Sequence, residues 1–212
     1  MAGSKSDVRR PGRPANPISR DAIIGMARSV FAAGGYAGAS LSQIATKTGL
    51  RKASLYHHFA SKELLYLAVV DTLLADISAI FSEALMSEGD FADRLDASAA
   101  AVIKYFGDNS DAAQILVREM VDGGPFVEAH GQDAIAHTVE IASQFFALGM
   151  DVGQFRKQDP KHLTLSLMGM LLYGHAAVGI STAFLGTSPF EGPGREERDL
   201  ALRAHINQLV IG

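Results

Sequence analysis

Between Ser40 and Leu65 the chain reads SLSQIATKTGLRKASLYHHFASKELL, a run of donors and small polar groups rather than the carboxylates and thiols of a reaction centre. Arg51 and Lys52 carry donors that fit the O6 and N7 acceptors of guanine, and Ala53 offers a methyl contact to thymine. Ser40 and Ser42 stand at the start of one helical pattern, where free backbone N–H groups favour a phosphate, and Lys62 takes the same kind of place on a later one. The chemistry in view is recognition of a nucleic acid.

Those side chains need short helices to aim them. Two helical patterns meet at Thr48-Gly49-Leu50 and a third begins at Ser61, which is the layout of a helix-turn-helix. Ser40 with Gln43 three residues on makes a capping box, and Leu41, Ile44 and Ala45 form the buried face. Gly49 supplies a left-handed turn residue, and the next helix, from Arg51 to Phe59, buries Leu55 and Phe59. Upstream, Ser19 is the N-cap of a helix whose apolar positions Ile23, Met26, Ala27, Val30 and Phe31 share one face and which ends at Gly34-Gly35. Residues 1–17, polar and rich in Pro, Gly and Arg, read as a flexible basic arm.

The charge agrees. Residues 1–62 hold ten Lys and Arg against two acids, a balance of +8, whereas the remainder holds nine basic against twenty-one acidic side chains. A basic head on an acidic body docks on phosphates head first. The absence of cysteine removes disulfides, thiolate catalysis and Cys-ligated metals. The first twenty residues lack the apolar stretch of a signal peptide, so a cytoplasmic protein is expected.

Beyond residue 62 the periodicity stays helical. Ser61 caps a long helix running towards Leu85, and further helices are expected at about 91–107, 111–122, 125–150, 160–185 and 196–210. Period-two alternation is missing, so the fold class is all-α. Leu163 to Leu185 is long and apolar enough to cross a bilayer, but it is a single candidate without flanking Lys/Arg clusters. It reads as a helix buried between two subunits, with no membrane partner.

Phe31 to Leu65 also resembles the N-terminal domain of TetR-family transcriptional regulators. The residues that carry the resemblance are Phe31, Gly35-Tyr36, Ser40, Ile44-Ala45, Gly49, Ser54-Leu55-Tyr56, Phe59 and Lys62-Glu63-Leu64. The resemblance covers about residues 18–70. It implies an N-terminal three-helix helix-turn-helix domain (18–62) and a larger C-terminal helical ligand-binding and dimerisation domain (63–212). It implies a homodimer through the last two helices, here 160–185 and 196–210. It further implies a repressor released from double-stranded operator DNA by a small-molecule effector. Ser54, Tyr56 and His57 match positions that in the family touch phosphate or bases. Within the arm, the Gly-Arg-Pro core of Arg9-Arg10-Pro11-Gly12-Arg13-Pro14 resembles that of minor-groove-binding AT-hook peptides, which gives Arg10 and Arg13 a role in affinity.

For the effector, Met120, Phe126, Phe146, Met150, Met168, Tyr173 and His175 are the candidate contacts, since Met and aromatic residues suit adaptable apolar pockets and His175 interrupts an apolar helix. No cofactor is expected. No metal is expected either: adjacent His57 and His58 point about 100° apart on a helix, and His137 with Glu140 reads as a solvated face. An enzyme is disfavoured by the lack of G-x-S-x-G, P-loop, G-x-G-x-x-G and H-E-x-x-H patterns. The alternative is a TetR-like architectural or partner-protein-binding DNA protein without an inducer, which a C-terminal core with no enclosed cavity would favour.

Overall fold

The computed structural model describes residues 18–212, so the arm with Arg10 and Arg13 lies outside the described residues. Those residues form eleven α-helices and no strand. The head is α1 (Arg20–Gly38), α2 (Leu41–Thr48) and α3 (Lys52–His58). Ser19 caps α1 by accepting from the Ala22 amide. At Gly35 the helix kinks, with φ 65° and ψ 179°, so the helical turn proper ends where the glycine pair stands. Ser40 and Gln43 form the reciprocal capping box, and Gly49 closes α2 at φ 69°. A residue with a Cβ would be strained there, which is why a glycine turns the chain into α3. Ile23, Ala27, Phe31, Ile44, Leu55 and Phe59 meet as the head's core.

α4 (Lys62–Met86), capped by Ser61, belongs to both halves. Its first turns carry Leu65, Tyr66 and Val69 against the head, and Tyr66 meets Phe31 edge-on at 4.9 Å between ring centroids. Its later turns enter the body, built from α5 (Phe91–Asp108), α6 (Ser110–Asp122), α7 (Pro125–His130), α8 (Asp133–Asp151), α9 (Pro160–Ala176), α10 (Val178–Leu185) and α11 (Gly192–Val210). One hydrophobic cluster therefore runs from Ile23 to Val210. Arg203 grips Asp96 with two nitrogens, fixing α11 on α5.

Three helices differ from the expected spans. The helix expected at 125–150 is two, because Gly131 turns at φ 74° and ends α7 after six residues. The helix expected at 160–185 is also two: α9 stops at Ala176, Ala177 leaves helical geometry, and α10 turns away by 85°. An apolar run specifies burial but not straightness, and Gly174 and Gly179 flank the break without adding helical propensity. α11 begins four residues earlier than expected, with Pro193 in its first turn.

Candidate nucleic-acid interface and effector cavity

α3 is seven residues long, so its inner and outer faces are set by few positions. Leu55 is fully buried, and Phe59 follows as the C-cap. Lys52, Ala53, Tyr56 and His57 fall on the opposite face and are exposed, together with the N-cap Arg51. Tyr56 is 47% exposed, so its ring is not part of the core. Ser54 is half-buried beneath them. Arg51 is exposed at the N-cap of α3. Arg20 lies over the Phe59 ring at 4.7 Å, which ties the start of α1 to the end of α3.

Ser40 and Lys62 both have partners within the head. The Ser40 hydroxyl accepts from the Gln43 amide at 3.2 Å and donates to Gln43 Oε1 at 2.9 Å, so this side chain is already paired within α2. Ser42 stays exposed in the first turn. The Lys62 ammonium turns inwards, donating to the Tyr36 carbonyl at 2.8 Å and the Ala39 carbonyl at 3.2 Å while lying 4.2 Å from the Tyr36 ring centre. It pins the end of α1 to the start of α4.

In the body, α4, α5, α6, α8, α9 and α11 surround a cavity of about 100 Å3. Its walls are apolar side chains such as Phe81, Leu95, Phe106, Phe146 and Leu171. The hydroxyls in the wall are already paired. Ser98 donates to the Leu95 carbonyl, Thr164 donates to that of Pro160, and Thr138 accepts from Ser78. Met120, Phe146 and Met168 of the expected effector residues line it. The other four do not. Phe126 is packed at the start of α7 against His130, and Met150 is buried away from the cavity. Tyr173 is 64% exposed on the outside of α9. His175 is buried between the rings of Phe106 and Phe190, its Nδ1 2.6 Å from the Leu171 carbonyl. Its polar partner is thus a backbone carbonyl one turn back. Helical spacing put these four on apolar helices, but which face met the cavity depended on how six helices cross.

Residues 23–69 match the family model described as bacterial regulatory proteins, tetR family. The helix-turn-helix head is a TetR-family N-terminal domain. The HTH-type transcriptional regulator RutR of Escherichia coli K12 is 29% identical over 169 residues, 74% of either chain. Among solved structures, the ketosteroid transcriptional regulator KstR2 of Mycobacterium tuberculosis superposes with a TM-score of 0.70 at 17% identity, covering 94% of this chain and all of that one. AibR, solved with isovaleryl coenzyme A and operator DNA, gives 0.67 at 19% identity, over 88% of this chain and 97% of that one. At these identities the structural likeness speaks for the fold.

The structure also shows how this head and the body are joined. Arg28 of α1 reaches Asp111 at 3.1 Å and pairs with Asn109 at the start of α6. Arg118 of α6 lies against Gly35, where an added Cβ would stand 2.8 Å from the guanidinium. Deeper in, Glu119 is buried and accepts from Tyr66 at 2.6 Å, from the Phe126 amide at 2.6 Å and from the Val127 amide at 2.9 Å. Burial, and then the bond to Glu119, raise the Tyr66 hydroxyl well above the ordinary phenol range, so it stays a donor. Sequence reasoning missed this pair. Its signal was an acid at the fourth step of the apolar face formed by Ala112, Ile115 and Leu116.

Proposed function

We propose that the protein is a repressor: a homodimer that holds a palindromic operator through its two α3 helices and releases it when a small apolar or amphipathic effector enters the cavity. The observation that carries this reading is the position of the cavity. Met120 lines it, and the preceding residue, Glu119, holds Tyr66 at the base of the head. A ligand that shifts α6 acts on α4 through that bond, and so on the angle of α3. The cavity also favours the effector reading over an architectural one, for which the body needs no internal space. AibR supports the analogy, since it is a member of this fold solved with both a small molecule and its operator.

Dimer formation is supported by Leu165, Tyr173, Ile180, Phe184 and Leu200, large apolar side chains exposed on α9, α10 and α11. Apolar surface of this kind on the outer helices marks an interaction face. A two-fold dimer presents two equal recognition helices, which is why a palindrome is expected. On α3, Arg51 and Lys52 are assigned to base edges and Ala53 to a thymine methyl. Ser54, Tyr56, His57 and Ser42 are assigned to bases or phosphate. Selection of bound duplexes from a random library tests the whole reading. A palindromic motif supports it; salt-sensitive binding that ignores sequence overturns it in favour of an architectural role.

A further inference from the structure

α10 has little cover from its own subunit. Its eight residues, VGISTAFL, carry no charge, and none of them is buried. Phe184 is 87% exposed, and Ile180 and Leu185 are open beside it. The helix leaves the end of α9 at 85°, so it does not simply prolong α9. An uncharged apolar helix standing in water calls for a partner surface.

The outer side of α8 and α9 has the opposite need. An open space of about 490 Å3 lies between them, lined mainly by apolar side chains such as Ile135, Ala136 and Val139 of α8 and Leu165 and Met168 of α9. Lys161 stands in its wall, paired with Glu140. Ile135, Val139 and Met168 also line the inner cavity, so this space is the cavity's outer side. An apolar site of ~150 Å3 takes a benzene ring, so the outer space accepts a phenyl group with an aliphatic neighbour.

The outer face of α9 says how the two can meet. Leu165, Gly169 and Tyr173 are exposed at successive turns, and Gly169 lies beside the midpoint of the helix. A Cβ at Gly169 would meet nothing, so a second backbone can approach closely there. In an isologous contact a helix that crosses its own copy meets itself at the two-fold axis. With that axis at Gly169 and the two α9 helices antiparallel, Leu165 packs on the partner subunit's Tyr173. Ala177, where α10 departs, then comes level with the partner subunit's Lys161. A parallel pairing instead sets Lys161 beside its own copy, a like-charge contact, and leaves both outer spaces uncovered. The segment from Val178 to Phe184 rises about 10 Å, close to the spacing of packed helix axes, about 8–10 Å. Starting beside the partner's α9, α10 is long enough to cross to the partner's α8.

We propose, on the basis of the dimer proposed above, that α10 of each subunit straps the outer space of the other, with Phe184 seated between the partner's α8 and α9. Each effector cavity is then walled on its outer side by the second subunit, and the site is complete only in the dimer.

The chain contains no cysteine, so introduced thiols report without background. Phe184→Cys, Ala136→Cys and the double variant, each treated with a short bismaleimide, test the strap, with light scattering giving the oligomeric state. The double variant is expected to run as a covalent dimer on a denaturing gel, and each single variant as a monomer. The A136C thiol is also expected to react several times more slowly with a bulky maleimide than the same thiol in A136C/F184A, where the covering ring is gone. A covalent dimer from F184C alone overturns the arrangement in favour of α10 meeting its own copy. A dimeric wild type with no cross-link in the double variant, or with equal thiol reactivity in the two backgrounds, overturns the strap and leaves the dimer reading intact. A monomeric wild type overturns the dimer reading as well.

Discussion

The Tyr66 hydroxyl donates to Glu119 at 2.6 Å, and this one bond joins the helix beneath the three-helix head to the helix beside the cavity. Both groups are buried, so neither has water to fall back on. A hydrogen bond to a charged acceptor contributes about 1.5–3 kcal/mol, and Tyr66→Phe is expected to cost that much in urea unfolding. Glu119→Ala leaves the Tyr66 hydroxyl and two α7 amides without an acceptor and is expected to cost more than ~3 kcal/mol. A change below ~0.5 kcal/mol in Y66F would place the bond outside the stabilising set.

Gly124 is the residue that lets Glu119 reach α7. A Cβ there would stand 2.3 Å from Glu119 Oε2, inside any real contact distance. Gly124→Ala is therefore expected to displace the carboxylate and lower stability by about 1–3 kcal/mol. The cause is separable by a double-mutant cycle. In an E119A background the cost of G124A is expected to fall by at least half, because the clashing group is gone. Fully additive costs would assign the effect to the backbone of the α6–α7 turn instead.

Two kinds of lysine are distinguishable by salt. Lys62 donates to the Tyr36 and Ala39 carbonyls, whereas Lys52 is exposed on α3. Lys62→Met is expected to destabilise the fold by about 1–3 kcal/mol while leaving the salt dependence of operator binding unchanged. Lys52→Ala and Arg51→Ala are expected to weaken operator binding by about 1–3 kcal/mol each where they read a base. A salt slope shallower by about one in K62M would return that ammonium to the phosphate backbone.

The local rules read well in this chain because its helix ends are chemically explicit. Ser19, Ser40, Ser61 and Gly49 each announce a cap or turn, and all four act as their types require. The fold class and the outward face of α3 follow from these and from the burial of Leu55 and Phe59. What spacing could not reveal was anything decided by crossing helices. Lys62 looks like a free cation until the end of α1 is folded over it, and Tyr173 and His175, two residues apart, end on opposite sides of α9. Glu119 is legible only once its three donors, from α4 and α7, are brought to it.

His175 carries a pH effect from the interior of the body. Burial holds its imidazole below the ordinary histidine range; the Leu171 carbonyl opposes this, Arg198 and Arg195 reinforce it, and Asp199 works against it. Phe106 and Phe190 cover the two ring faces and offer no charge. The unfolded chain takes up this proton near pH 6.5, while the folded chain waits for a lower pH. Between those two values the unfolded state binds more protons, so stability falls as pH drops through the window and is flat above about pH 7.5. His175→Gln keeps an N–H for the Leu171 carbonyl and removes the titration. The stability lost between about pH 7.5 and 5.5, measured by urea unfolding at each pH, is expected to be smaller in H175Q than in the wild type. Parallel losses in the two proteins would assign the acid sensitivity to other groups.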